Sequence, residues 1–315
     1  MKTKIIIATL SLIIMHFGTL SGVTLAQSPF PNEFDSSRVP WKTLSFKCEN
    51  FWGTAISEVK LEVVQSSNAE KLLISYPKGR ALMPTAPQVF TVSVNSTIDP
   101  LIGPSDYSET KTWFAPQEGA ALQRVRVRVG KEKWQKVYRW THSGVYRLRK
   151  KPNDPDEDNL PMQRWTNTEE SFYPYDLEKG DCLNVSEPSV LLFYVSTASL
   201  SLGDEPSALC VFNKKQLHRV RIQVEKLQRL KVNYIEKLPN AEKLKRGEIE
   251  ALKISFKPTS LFKNKAESEP FSFLKLKGDF EIFIEKSTMI PVLVKGQIPN
   301  IGRVEVKLLE VGLNQ

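Results

Sequence analysis

Histidine is scarce in this chain. There are three in 315 residues, and one of them, His16, lies in the N-terminal apolar stretch. A serine-type triad would have to use His142 in WTHSGVY or His218 in QLHRVR, and no G-x-S-x-G elbow precedes a helix to supply the nucleophile. The three cysteines form neither a C-x-x-C pair nor a metal-ligand spacing, which argues against redox or zinc chemistry. No glycine-rich phosphate cradle occurs, and LGDEP reads as a turn. Carboxylates for glycoside cleavage exist in number, but Asp154, Asp156, Glu157 and Asp158 crowd into one proline-rich loop, where a solvated face is the simpler reading. No catalytic residue, metal site or cofactor is therefore expected.

What the N-terminus does have is an address. Lys2 and Lys4 precede an apolar run of about thirteen residues, Ile5 to Phe17, and Thr24 and Ala26 occupy the −3 and −1 places of a signal-peptidase site. A membrane span needs roughly twenty apolar residues, so cleavage after Ala26 is expected rather than anchoring. Removing 26 residues from 315 leaves 289, enough for one large domain over 27–315, and the loss of two lysines lowers the formal charge from +9 to +7. A periplasmic or secreted location follows, with no membrane span after cleavage. The basic balance points to acidic partners. In that compartment these would be anionic lipid, lipopolysaccharide, glycan or an envelope protein, and not nucleic acid.

In an oxidising compartment two of Cys48, Cys182 and Cys210 can pair. Cys182 and Cys210 are nearest in sequence and flank one strand pair, so the expected bridge joins them and leaves Cys48 free. The closed loop would contribute roughly 3 kcal/mol. Three buried thiols are the alternative.

The dominant period is two. KTLSFKC, SEVKLEVV, KLLISYP, VFTVSV, RVRVRV, WQKVYRW, GVYRLR, HRVRIQVE, RLKVNYIE, EALKISFKP, FSFLKLK, FEIFIEK, PVLVKG and RVEVKLLEV all alternate. This indicates half-buried antiparallel strands. One helix is expected within PSVLLFYVSTASLSL, residues 188–202, with Leu191, Leu192, Val195 and Leu202 on its packing face. The segment 152–181 reads as a turn-rich loop crossing between two halves of a sheet. The fold class is mainly β: a large, curved antiparallel sheet, a half-barrel or barrel-like, since curvature reduces exposed edges.

Two blocks carry a family resemblance. PSVLLFYVSTASLSLGDEPSALCVFNKKQLHRVRIQVE resembles the centre, and FEIFIEKSTMIPVLVKGQIPNIGRVEVKLLE the ending, of the bacterial proteins catalogued as domain of unknown function 3108. The likeness covers roughly residues 40 to 312. It implies an exported β protein of unassigned activity and no known cofactor. Loop insertions near 100–118 and 152–181 depart from the family pattern.

The most distinctive stretch is basic and aromatic. From Arg124 to Lys151 there are eleven Lys or Arg residues and one acid, Glu132. Arg124, Arg126 and Arg128 alternate with valines and share one sheet face; Trp134, Tyr138 and Trp140 share a face of the next strand, opposite Lys133 and Arg139. The favoured reading is an outer, wet face made soluble by charge, with aromatics filling the core. The functional reading makes Arg124, Arg126, Arg128, Trp134, Tyr138, Arg139 and Trp140 a ligand-binding surface, since Arg binds phosphates and carboxylates bidentately. The function expected is an exported, non-enzymatic binding or scaffold protein holding an apolar, lipid-like or glycan ligand. The alternative is an envelope polysaccharide-processing hydrolase on the same sheet.

Overall fold

A computed structural model describes residues 39–50, 53–130, 132–175, 182, 184–261 and 268–314. The leader expected over 1–26 lies outside these residues. In chain order the strands are β1 (Trp41–Asn50), β2 (Gly53–Gln65), β3 (Gln88–Pro100), β4 (Asp106–Phe114), β5 (Ala121–Val129), β6 (Trp134–Trp140), β7 (Gly144–Lys151), β8 (Asn167–Pro174) and β9 (Val185–Ser186). After them come β10 (Ser207–Asn213), β11 (Gln216–Leu238), β12 (Ala241–Ser260), β13 (Ser272–Phe273), β14 (Leu276–Glu285), β15 (Pro291–Ile298) and β16 (Gly302–Leu313). A short helix α1 (Ser66–Glu70) follows β2, and α2 (Val190–Thr197) follows β9.

All strands belong to one sheet, ordered β8-β7-β6-β5-β4-β3-β2-β1-β16-β15-β14-β12-β11-β10-β9, with β13 paired to β14. The sheet is antiparallel except at β9–β10 and at a short contact between β11 and β16. Its two ends meet through side chains. The Phe212 ring of β10 lies 5.8 Å from Tyr173 of β8, 6.2 Å from Tyr138 and 6.0 Å from Trp140 of β6. The barrel thus closes on aromatic packing, and the bridge between Cys182 and Cys210, with Cα atoms 5.8 Å apart, ties the chain beside it. Cys48 is free and buried.

The interior is filled by α2. Its sequence, VLLFYVST, is apolar on every side, and all but Thr197 are buried. A helix of that kind is stable only when enclosed. Phe193 packs its ring 5.6 Å from Phe90 and 5.1 Å from Phe114, and Trp41 Nε1 donates to Ser196 Oγ at 2.8 Å. The expected single packing face is too narrow a description, and Leu202 is not on the helix at all but beyond it, 60 % exposed.

Other expectations also shift. KLLISYP is not a strand. The Ile74 N–H donates to Gln123 Oε1 at 2.8 Å and its carbonyl accepts from Arg139 Nε at 2.9 Å, while Leu72 O accepts from Gln123 Nε2 at 2.9 Å. Side chains satisfy the backbone groups that a ladder would otherwise need. The 100–118 region contains the regular strand β4, and 152–181 is more than a crossing loop, because it holds β8 at the sheet's end. FSFLKLK turns back on itself: β13 and β14 form a tight hairpin with Leu274 and Lys275 at its tip.

The long β11–β12 hairpin makes a second enclosure. A register shift between Val224 and Lys226 bends it, and Ile235–Lys237 then run parallel to Glu310–Gly312 of β16. Strands β11, β12, β14, β15 and β16 thereby complete a hydrogen-bonded ring. Tyr234 lies buried there, its hydroxyl donating to Glu285 Oε2 at 3.1 Å, while Lys245 Nζ donates to Glu285 Oε1 at 2.6 Å.

Candidate functional site

Strand register places the basic residues of β5, β6 and β7 in cross-strand rows. Arg124 is opposite Tyr138, which is opposite Arg147, which is opposite Ser171. One step along, Arg126 is opposite Lys136, which is opposite Arg149, which is opposite Glu169. This face looks into the barrel, not out to solvent. Arg124 is 3 % exposed, with its Nη1 donating to Glu187 Oε2 at 3.4 Å, and Glu187 stands at the entrance to α2. The wet outer face favoured from the sequence is therefore overturned: curvature turns the arginine side of β5 inward. The valine side faces the layer made by α1 and the segment after it, where Val125 packs against Ala69, Val89, Trp113 and Leu122.

The seven residues proposed from sequence divide into three groups. Arg124, Arg126, Arg128, Trp134 and Tyr138 line the concave side. Arg124 lies 4.3 Å over the Tyr138 ring, and Arg126 and Lys136 lie 5.5 Å and 4.2 Å from the Trp134 ring centre. Arg128 is neutralised by Asp106 at 2.9 Å. Trp140 belongs to the same face but is fully enclosed in the aromatic closure. Arg139 is on the opposite face, 1 % exposed, donating to Ile74 O at 2.9 Å and Leu122 O at 2.6 Å, with burial pulling it down to about 10. It fastens the outer layer to the sheet and takes no part in the site.

The sequence reading missed Lys136, Arg147, Arg149, Glu187 and Lys275. Parity supplied a signal for Lys136, which shares the face of Trp134 and Tyr138. Nothing local marks Glu187 or Lys275, which arrive from distant segments.

Electrostatically the middle row is unbalanced. Neither Arg126 nor Lys136 forms an ion pair among the described residues, whereas Arg147 and Arg149 share Glu169. Burial first, then Arg126, Arg149 and Arg147, bring Lys136 down to about 8. Burial and then Arg124 act in the same direction on Arg126, which nevertheless stays cationic. Like charges directly opposite one another destabilise a sheet. A row of three is therefore a cost that the fold alone does not explain.

Two open spaces adjoin the row. A groove of about 360 Å³ is bordered by the cations Lys136, Arg147, Arg149 and Lys215, the acids Glu132 and Glu169, and the rings of Trp134 and Tyr173. A smaller cavity of about 110 Å³ lies between Arg124, Arg126, Glu187, Ser189 and Lys275. Separately, a cleft of about 1070 Å³ runs beneath the β11–β12 arm, between Leu230, Val232 and Tyr234 on one side and Leu293, Lys295 and Lys307 on the other. Its cations are largely matched, Lys295 with Glu305 at 2.6 Å and Lys47 with Glu49 at 2.8 Å.

The histidines are unremarkable as catalysts. His142 is exposed in the β6–β7 turn, and His218 is buried on β11 against Phe271, held down to about 4 by burial and then by Lys214. Among the described residues no group of three His, Cys, Asp or Glu side chains is arranged for a metal ion.

No family model matches the chain, and no curated protein matches it. Among solved structures it is similar to a beta-barrel-like protein of domain of unknown function DUF1849 from Brucella abortus, at 7 % identity and a TM-score of 0.45, over 88 % of this chain and 99 % of that one.

Proposed function

We propose that this protein is an exported, non-enzymatic binding or scaffold protein of the cell envelope that engages an anionic envelope component through the inner face of β5–β7. The observation that carries this reading is the row Arg126, Lys136 and Arg149, three directly opposed cations with one carboxylate, Glu169, at its end. An anion bound across the row relieves the repulsion and gains charge-assisted hydrogen bonds. Trp134 and Tyr173 border the same groove and offer apolar faces to whatever carries the charge. Because α2 fills the barrel, the reading sets a charged headgroup or glycan substituent against the row, not an acyl chain inside the sheet. The bridge between Cys182 and Cys210 fits an oxidising compartment, and no described helix is long and apolar enough to cross a membrane. The exported class is also what the resemblance to domain of unknown function 3108 implies, a relationship we include in the proposal. The hydrolase alternative has no observation in its favour here.

Sedimentation with phosphatidylglycerol vesicles, against phosphatidylcholine controls, tests the reading. Binding should fall as salt rises, since screening acts over roughly 8 Å at physiological ionic strength. It should also fall as pH climbs through about 8, where Lys136 loses its proton among Arg126, Arg147, Arg149 and Glu169. The double change Lys136→Gln, Arg149→Gln should weaken binding roughly tenfold or more and flatten both dependences. Equal binding by the variant at low and high salt would sink the proposal.

A further inference from the structure

The small cavity beside the row gathers buried polar atoms that have no hydrogen-bond partner. Arg124 is buried and uses only Nη1 on Glu187, so its Nε and Nη2 have no partner. Ser189 Oγ is likewise buried and unpartnered. Arg126 lines the same space from the next position on that face of β5, and Lys275, which is exposed to solvent, lines it too. Three cations against the single carboxylate of Glu187 leave two positive charges around about 110 Å³. Drug-sized pockets run from roughly 300 Å³, so this one suits a small group. Two guanidinium groups, an ammonium and a hydroxyl converging on a small volume match a tetrahedral oxyanion better than a planar carboxylate, because they offer more donors than two oxygens can accept.

The hairpin that brings Lys275 there is held in place at some expense. Leu274 and Lys275 have φ of 46° and 70°. These are the two central positions of a two-residue turn, where Asn-Gly is the favoured pair. Asn213 anchors the hairpin from β10, its Nδ2 donating to Ser272 O at 2.8 Å and its Oδ1 accepting from Ser272 N at 3.2 Å. A glycine at 275 would relax the turn and remove the ammonium. The chain instead keeps a lysine in a conformation that side chains disfavour, beside two arginines.

We infer that the cavity between Arg124, Arg126, Ser189 and Lys275 is a phosphate-binding pocket that takes a terminal phosphate, either the free ion or a phosphomonoester whose remainder leaves past Lys275. This rests on the proposed anion-binding role of the inner face and assigns that role a defined chemical group. It accounts together for the two unpartnered nitrogens of Arg124, the unpaired Arg126 and the unfavourable residue at the turn.

Calorimetric titration with sodium orthophosphate, glycerol 3-phosphate and succinate tests it on the intact protein. Saturable phosphate binding should appear, with succinate at least tenfold weaker. A stronger response to glycerol 3-phosphate than to orthophosphate would identify the monoester as the preferred source, and the reverse the free ion. Arg126→Gln should lower phosphate affinity roughly tenfold. Lys275→Gly should lower affinity while raising Tm by about 2 °C, a pairing that a purely structural lysine would not produce. Absence of saturable phosphate binding by the wild type, or binding unchanged in Arg126→Gln, overturns the inference. If vesicle binding persists in that case, the wider anionic surface stands and the pocket falls. If phosphate binds and vesicles do not, the pocket stands and the envelope-surface reading falls.

Discussion

Replacing Arg124 with Met should expose how much the fold depends on one buried charge pair. The methionine keeps an apolar stem against the Tyr138 ring, over which the guanidinium now lies at 4.3 Å, so packing is largely conserved. What is lost is the cation bonded to Glu187, which is 2 % exposed and keeps neutral donors such as the Ser189 N–H at 2.8 Å. Breaking one side of a buried pair costs about 3–5 kcal/mol. For a domain of this size that is roughly 6–10 °C in Tm. Burial already raises the Glu187 carboxyl above its ordinary value, and without Arg124 it should rise further. A raised acid makes the folded state bind more protons than the unfolded chain between the ordinary carboxyl range and the raised value, so stability falls as pH rises through that window. The Arg124→Met deficit should therefore shrink on acidification toward pH 5. Adding Glu187→Gln, which keeps an acceptor for Ser189, should recover most of the loss, because a neutral replacement of a buried pair is often nearly neutral. Urea and thermal unfolding of the two single variants and the double variant measure all of this. Losses below about 1 kcal/mol in both single variants would refute the argument that the pair is desolvated and coupled.

His218 should make the protein sensitive to mild acid. Its imidazole is held at about 4 against an ordinary value of 6.5, so the unfolded chain takes up the proton first and stability drops as pH falls through that interval. The full effect is on the order of 3 kcal/mol, and His218→Leu should flatten this part of the stability profile; equal slopes in the two proteins would exclude His218 as the cause. Peptide mapping without reductant should recover a linked Cys182–Cys210 pair, and Cys48, whose thiol burial pushes up, should alkylate only after unfolding. Three thiols that alkylate readily in the native protein would contradict both statements.

The alternation of RVRVRV, WQKVYRW and FEIFIEK was enough to establish strands and to decide which side chains share a face, because side-chain direction alternates with period two whatever the strand packs against. The run VLLFYVST marked a helix, though not that it is enclosed on every side, and the nearness of two cysteines in sequence pointed to the correct pair. Local pattern could not say which face of β5 is concave. Arg124, Arg126 and Arg128 alternate with valines in a way that suits a wet outer face equally well, and the choice was made by the curl of the whole sheet around α2. Arg139 shows the same limit from the other side: its charge suggests a surface, yet the 71–87 segment covers it and uses its donors. The site is non-local for the same reason. Arg126, Glu187 and Lys275 come from β5, the entrance to α2 and the β13–β14 turn, and only the closure of β8 onto β10 by Tyr173 and Phe212 brings those segments around one space. Period and composition are properties of neighbours along the chain. Curvature, closure and the convergence of charges depend on contacts between residues far apart in it, and those the tertiary structure alone decided.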